Sequence, residues 1–323
     1  MNAGTTGDNG YRDGVVSVVI PTYGRNETLP RAIRSVLHQT YDDIELIVVD
    51  DGSPTPVTET LPDMSFDQLD STTFIRHNDN RGANVARNSG IRSATGEYLA
   101  FLDDDDRWRE SKISRQVDAF ETAGPDVGVV YTGVRATGPS GTTTNTPTAE
   151  GNVIKYLLTG GAFGQFSSVM VRHDATEKAG LPDERLPAWQ DRDWFFRLAR
   201  EYHFKSIPEP LTIRETKRSD SITRNFERKR DVAYPIFMEK HYPFARDYGL
   251  YYRRMFLASM RKILGRSAVA AGEYRQARRY FILSFLANPL YRPVYLHLIA
   301  SLGGERTYEF ASYMRKKILA FRS

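Results

Sequence analysis

The chain has 323 residues, with 44 Lys+Arg against 40 Asp+Glu and no cysteine. That length suits one large α/β domain with a small appendage, and 40% hydrophobic with 26% charged residues excludes a largely disordered protein. Without cysteine there is no disulfide framework, thiolate nucleophile or Cys-ligated zinc or iron–sulfur site.

In chain order, Met1 to Gly14 is polar and rich in Gly, Asn, Asp and Thr, with no secretory-signal pattern, which predicts a flexible tail. Val15 to Ile20 is a β-branched run stopped by Pro21, predicting a buried strand. Leu29, Ile33, Val36 and Leu37 give Thr28 to Gln39 a helical spacing, and Ile44 to Val49 reads as a second buried strand. Strand, helix and strand at this spacing make a βαβ unit, hence a parallel sheet with a right-handed crossover. Further strands are expected at Thr73 to Arg76, Tyr98 to Leu102, Val127 to Tyr131, Ser167 to Arg172 and Leu211 to Arg214. Helices are expected at Ala83 to Ala94, Lys112 to Thr122 and Arg192 to Tyr202. Gly138 to Asn152 is Gly/Thr/Pro-rich and too polar to pack, so it reads as a loop, and Arg218 to Arg230 as a charged segment that begins as a loop. From about Val232 the β-signals stop, and helices are expected at Tyr251 to Leu264, Glu273 to Asn288, Pro293 to Leu302 and Tyr308 to Phe321. The longest apolar stretch, Phe281 to Tyr291, is too short to span a bilayer as a helix.

The strongest chemical feature is Asp103 to Asp106, which follows a buried strand and so sits at that strand's carboxyl end, where open α/β sheets bind ligands. Four adjacent carboxylates repel unless a cation neutralises them, and Mg2+ or Mn2+ takes one or two carboxylates together with substrate phosphates. An acidic turn capping the next helix is the plainer explanation, and position after a buried strand favours a metal–phosphate site. Asp50 and Asp51 close the second strand in the same way, although an Asp-Gly-Ser turn alone would explain them.

Three runs, Val16-Ser17-Val18-Val19-Ile20-Pro21-Thr22-Tyr23, Ser35-Val36-Leu37-His38-Gln39-Thr40-Tyr41 and Glu45 to Ser53, together resemble the opening of the family 2 glycosyltransferases. Asn80-Arg81-Gly82, Ala86-Arg87-Asn88 and Gly96 to Asp106 continue the resemblance in order, over roughly Val15 to Arg214. The resemblance implies a GT-A fold: a Rossmann-like, mostly parallel sheet flanked by helices, here with an all-helical C-terminal extension. It further implies a metal-dependent, inverting hexosyltransferase that uses a UDP- or GDP-linked sugar donor. The organisation it suggests is a tail over 1–14, a catalytic domain over 15–231 and a helical region over 232–323. By position, Pro21, Tyr23 and Asp51 would hold the nucleobase, and Arg81 would help place the nucleotide. Asp103 to Asp105 would be the family's Asp-x-Asp signature, with Asp103 and Asp105 on the metal and Asp104 near the ribose. Trp189-Gln190-Asp191-Arg192-Asp193-Trp194 resembles the segment that carries the catalytic base, with Asp191 in the base's place. Asp191 and Asp193 would also suit a helix start on their own. Gln190 stands where an acidic residue is common, and Arg214 to Arg224 lacks the histidine some relatives place there as a metal ligand. Lys217, Arg218 or Arg224 could instead hold phosphate.

The near-neutral total hides an asymmetry, because Gly249 to Ser323 carries 14 Lys+Arg against 3 Asp+Glu and residues 1–248 carry 30 against 37. Aromatics interleave with arginine there, as in Tyr251-Tyr252-Arg253-Arg254, which suits an anionic membrane surface or simple packing of the helices. No nucleic-acid module accompanies the charge, so no nucleic-acid partner is expected. The expected setting is cytoplasmic, peripheral on the inner face of the cell membrane, with a lipid-linked or cell-surface glycan as acceptor in polysaccharide assembly or protein glycosylation. Two other classes fit less well. A nucleotidyltransferase usually carries a Gly-rich phosphate loop that is missing here, and a non-catalytic glycan or nucleotide binder would not need Asp105 and Asp191.

Overall fold

A computed structural model describes residues 10–61, 64–138, 141–215, 226–304 and 307–308. The chain forms two compact units. The first comprises residues 1–154, 162–185 and 190–218, and the second 155–161, 186–189 and 219–323.

In chain order the elements are β1 (Arg12–Thr22), α1 (Leu29–Leu37), β2 (Ile44–Asp50), β3 (Ser71–Arg76), α2 (Ala83–Ser93), β4 (Gly96–Phe101), β5 (Asp106–Trp108) and α3 (Lys112–Glu121). Then come β6 (Val127–Gly138), β7 (Gly141–Asn145), α4 (Ile154–Leu158), β8 (Val169–Arg172), α5 (Ala175–Ala179), α6 (Gln190–Glu201) and β9 (His203–Glu215). The last four helices are α7 (Tyr234–Asp247), α8 (Leu250–Ala270), α9 (Tyr274–Ala287) and α10 (Tyr295–Leu302).

The strands make one mixed sheet, in the order β3-β2-β1-β4-β8-β6-β9-β5, with β7 on β6. β3, β2, β1 and β4 run parallel, as the βαβ pattern requires. All seven residues of β2 are buried, so helices and loops cover both faces of the sheet there. α1 packs its Leu29, Ala32, Ile33 and Val36 stripe on one face, Leu29, Ile33 and Val36 each contributing about 1.5–3 kcal/mol of burial. α2 approaches β1 so closely that a Cβ at Gly90 would lie 2.4 Å from Val19 Cγ1.

Beyond β4 the sheet must curl. Only residues 102–105 link β4 to β5, yet β8, β6 and β9 lie between these strands. Laid flat, four strand spacings are about 19 Å, and a fully extended link reaches roughly 17 Å. Curling brings the two strands back together and suspends the acidic link across the sheet's carboxyl edge.

Several expectations shift. β1 opens at Arg12, so residues 12–14 of the expected tail are sheet. Arg12 pairs with Asp70 through both guanidinium nitrogens at 2.5 and 2.8 Å, and the Tyr41 hydroxyl donates to the Gly14 carbonyl. Residues 1–9 lie outside the described residues. The expected loop from Gly138 contains β7, an exposed strand paired antiparallel with the end of β6. Its threonines favour extended backbone, and an edge hairpin needs no buried face.

In the second unit α8 and α9 pack around Ala258, Ala268, Ala277 and Phe281, with Val294 and Ala300 completing the cluster. The Ser284 hydroxyl donates to the Ala258 carbonyl at 2.6 Å. Among the described residues no helix is long and apolar enough to cross a membrane. The helix expected at Tyr308 to Phe321 falls outside the described residues, apart from Tyr308.

Candidate active site

The carboxyl edge of the first unit's sheet opens into a cleft of about 440 Å³, a size usual for ligand sites. Pro21 and Tyr23 from the end of β1, Asp51 after β2, and Asp103, Asp104 and Asp105 after β4 all line it. Asn80, Gly82 and Ala83 line it from the start of α2, and Arg25, Arg87 and Arg214 add cationic heads. The sequence-predicted nucleobase and Asp-x-Asp residues therefore meet in one cavity. Tyr23 is 48% exposed, which leaves its ring face open.

The two aspartates after β2 divide their work. Asp50 is fully buried and ties down its own turn, accepting from the Ser53 amide at 2.8 Å and from the Arg76 guanidinium. Asp51, also buried, accepts from the Gly82 amide at 2.7 Å and from the Arg81 amide at 3.1 Å. Its third partner is His77 Nδ1, at 2.7 Å. A carboxylate can only accept, so His77 carries a proton on Nδ1, and in the neutral ring Nε2 accepts from the Ser89 hydroxyl at 2.9 Å. Asp51 thus fixes the start of α2 as well as facing the cleft. Arg81 contributes through its backbone, while its side chain is exposed.

Gly52 makes this arrangement possible. Its φ is +78°, and a Cβ there would lie 2.6 Å from the Asp79 carbonyl carbon and 2.9 Å from the Asn80 nitrogen. Gly52→Ala is expected to cost about 1–2 kcal/mol in left-handed backbone alone, and to push residues 79–81 off Asp51. A lowered urea midpoint and weaker nucleotide binding are the expected readings. Unchanged values for both would show that the turn relaxes without penalty.

The acidic link is held member by member. The Thr22 hydroxyl donates to Asp104 at 2.7 Å, Arg87 Nη2 to Asp103 at 2.6 Å, and Arg25 Nη1 to Asp105 at 3.3 Å. Burial pushes the Asp104 carboxyl up to about 6, with the Thr22 hydroxyl opposing. Burial and then the Asp103 charge push Asp106 up to about 7. Asp106 points away from the cleft residues into a polar knot with Gln165 and Ser167, and its Oδ1 has no partner among the described residues. Ser167 also receives the Asp103 amide at 3.1 Å, and its carbonyl accepts from Trp108 Nε1 and Thr212. Ser167 therefore sets the backbone of the carboxylate link, a role that a serine inside a predicted strand did not announce.

Arg87 is the other residue that sequence reasoning left without a role. Its guanidinium is buried on α2, reaches Asn84 at 3.2 Å and lies 4.1 Å over the Phe166 ring, with Nε unpartnered among the described residues. An arginine flanked by Val85, Ala86 and Ile91 on a buried helix face was the available signal, because a buried guanidinium demands an anion. Asn84 and Asn88, one turn apart on the same helix, donate to the carbonyls of Asp183 and Pro182 and hold that loop against α2.

Asp191 lies in the first turn of α6 and accepts from the Arg192 amide at 2.7 Å. It is not among the cleft-lining residues, but its carboxyl feels two of them, Arg87 and Asp103. Burial pushes it above the usual aspartate range, and the Arg192 amide and guanidinium pull it partway back. Asp193 is fully buried and pairs with Arg197 Nε at 3.0 Å, while Arg197 also donates to the Gly180 and Leu181 carbonyls. Asp193 is therefore committed to anchoring α6.

Among the described residues no group of three or more His, Asp or Glu is disposed around one point. Asp103 and Asp105 each engage an arginine through one oxygen, at the mouth of a cleft that also presents three guanidinium groups. That donor set fits a hard divalent ion held by one or two carboxylates and completed by a ligand's phosphates. Lys217, Arg218 and Arg224 lie outside the described residues.

A family model described as "Glycosyl transferase family 2" matches residues 17–179. An uncharacterized glycosyltransferase of Haemophilus influenzae is 28% identical over 235 residues, 71% of this chain and 77% of its own length. The UDP-Glc:alpha-D-GlcNAc-diphosphoundecaprenol beta-1,3-glucosyltransferase of Escherichia coli is 36% identical over 108 residues, 33% of this chain and 42% of its own. The matches span only 16% and 35% of the length of two other relatives, from Rickettsia bellii and Nostoc. Among solved structures, a mannosyltransferase from Pyrobaculum calidifontis in complex with GDP-Man and Mn2+ superposes with a TM-score of 0.58 at 17% identity, covering 92% of this chain and 83% of its own. The likeness identifies the sheet and its flanking helices as the GT-A fold.

Proposed function

The chain belongs to glycosyl transferase family 2, and from that premise we propose that it moves a sugar from a UDP- or GDP-linked donor to a hydroxyl of a lipid-linked or cell-surface glycan, with inversion at the anomeric carbon. The observation that carries this reading is the convergence of Pro21, Tyr23 and Asp51 with Asp103, Asp104 and Asp105 in one cleft. In the proposal Pro21, Tyr23 and Asp51 hold the nucleobase, Arg81 helps to place the nucleotide through its amide, and Asp104 faces the ribose. Asp103 and Asp105 would hold Mg2+ or Mn2+, which when bound neutralises charge on the leaving diphosphate. Arg25, Arg87 and Arg214 add fixed positive charge at the same edge. Asp191 takes the proton of the acceptor hydroxyl as its oxygen bonds to the anomeric carbon and the bond to the diphosphate breaks. Nucleoside diphosphate leaves with the electron pair.

The E. coli relative's name includes a diphosphoundecaprenol-linked acceptor. Together with the basic C-terminal region, this supports a peripheral position on the cytoplasmic face of the cell membrane. The deciding experiment is a panel of UDP- and GDP-sugars, with Mg2+ or Mn2+ present and then chelated, scored for released nucleoside diphosphate. Metal-dependent release from one donor is expected. Pyrophosphate release from a nucleoside triphosphate and a sugar 1-phosphate, with no diphosphate released from any sugar donor, would identify a nucleotidyltransferase, and no product from either set would favour a non-catalytic binder.

A further inference from the structure

The second unit exposes an ordered face that its own core does not need. On α9 the outward positions are Arg275, Arg279, Ile282 and Leu286, spaced four, three and four residues apart along one side of the helix. The buried positions of the same helix, Ala277, Phe281 and Ser284, face the opposite way. The stripe is basic in its first half and aliphatic in its second. Along the chain it is followed by Leu290 in the connecting turn, at 85% the most exposed large apolar residue described, and by exposed Leu296, Ile299 and Leu302 on α10. Leu286 and Ile299 are 62% and 67% exposed. Single exposed leucines are ordinary, but six exposed aliphatic side chains over residues 282–302, beside guanidinium groups, mark an interaction surface.

We propose that this α9–α10 face docks on an anionic lipid bilayer, the aliphatic side chains entering the headgroup boundary and Arg275 and Arg279 meeting lipid phosphates. The proposal deepens the peripheral-membrane reading above and rests on it. Charge selects this occupant. Residues 249–304 carry nine Lys+Arg against one acidic residue, Glu273, so a second copy seated on the face would set like charges against each other. Nucleic acid would satisfy the arginines but not the aliphatic side chains, which offer no ring for base stacking. An anionic bilayer satisfies both halves of the stripe, and basic residues beside an apolar face are the pattern of interfacial helices. Arg254, Arg261 and Arg278 are already spent inside the unit, donating to the carbonyls of Ala287, Leu283 and Ser301, which leaves the outward arginines for the surface.

The test is flotation of the full chain with phosphatidylcholine vesicles, with and without phosphatidylglycerol, at low and high salt. The chain is expected to float with the anionic vesicles and to lose flotation at high salt. Arg275→Gln with Arg279→Gln, and separately Leu286→Gln with Leu290→Gln and Ile299→Gln, should each lower vesicle affinity about tenfold or more. These side chains are solvent-facing, so melting temperature and vesicle-free nucleoside diphosphate release should hold, which separates failure here from failure of the transfer reading. Equal flotation of wild type and both variants overturns the proposal, as does a wild-type chain that fails to float with anionic vesicles. A dimer that the aliphatic variant converts to monomer, with flotation unchanged, reassigns the face to self-association and also overturns it.

Discussion

Asp191→Asn is expected to lower sugar transfer by about 10²–10⁴-fold, the usual contribution of a positioned general base, and to leave donor binding intact. Turnover by nucleoside diphosphate release and donor affinity by calorimetry give the two readings. Transfer within a few-fold of wild type would remove Asp191 from the base's role. The pH profile adds a sign. Only the ionised carboxylate accepts a proton, and burial raises this group above the usual aspartate value. Activity should therefore rise with pH through that raised value, with its acid limb displaced upward from an ordinary aspartate's. Stability runs the other way. A carboxyl raised in the folded state binds its proton more tightly there than in the unfolded chain, so it destabilises increasingly as pH climbs from the unfolded to the folded value, and the penalty persists above both. Asparagine carries no such charge and can still accept from the Arg192 amide. The variant should melt higher than wild type at neutral pH while losing activity, the exchange expected where a site maintains a costly charge.

The second large effect is expected at Arg87. Arg87→Met leaves Asp103 without its cation and empties the space over the Phe166 ring, and breaking a mostly buried pair in this way costs about 3 kcal/mol. Arg87→Lys keeps a charge but loses the fork that reaches Asn84 and Asp103 together, so it should fall between wild type and the methionine variant. Both can be read from denaturant midpoints. The methionine variant carries a further signature, because Arg87 holds the Asp191 carboxyl down. Removing that charge should move the acid limb of the activity profile to higher pH. A stable Arg87→Met protein with an unshifted profile would show that Arg87 neither supports the acidic link nor acts on Asp191.

The parts of the fold legible in the sequence were those where burial and period agree. β2 is apolar almost end to end and buried at every position, so its limits are read to within a residue. α1 carries a clear helical stripe at Leu29, Ile33 and Val36. What escaped had a physical reason in each case. β9 runs for thirteen residues with Pro208 and Pro210 inside it, and its pairing with β6 shifts register between Thr132 and Val134 to accommodate them, so only its last residues looked like strand. α7 was hidden by Pro235, which a π-helical segment over Lys229–Ala233 leads straight into, and by Pro243 within it. β5 is three residues long and begins inside the acidic run, where no periodicity can show. The candidate site was legible in its carboxylates, because position after a buried strand is a sequence-level property. Its cations and its supporting hydroxyl were not. Arg87 and Ser167 act through contacts that exist only once α2, β4, β8 and β9 have come together.

The short link between β4 and β5 has a consequence for the order in which the chain acquires its structure. β1 to β4 all lie within residues 12–101 and pair among themselves, but among the described residues β5 pairs only with β9, with Asp106 opposite Arg214 about a hundred residues later. As the chain leaves the ribosome, β1 to β4 can assemble well before the residues that pin the far end of the acidic link have been synthesised. The carboxylates of residues 103–106 are thus crowded together only after the rest of the sheet exists to oppose their repulsion, and the late closure of β5 on β9 is the step that converts a folded sheet into one with a cleft.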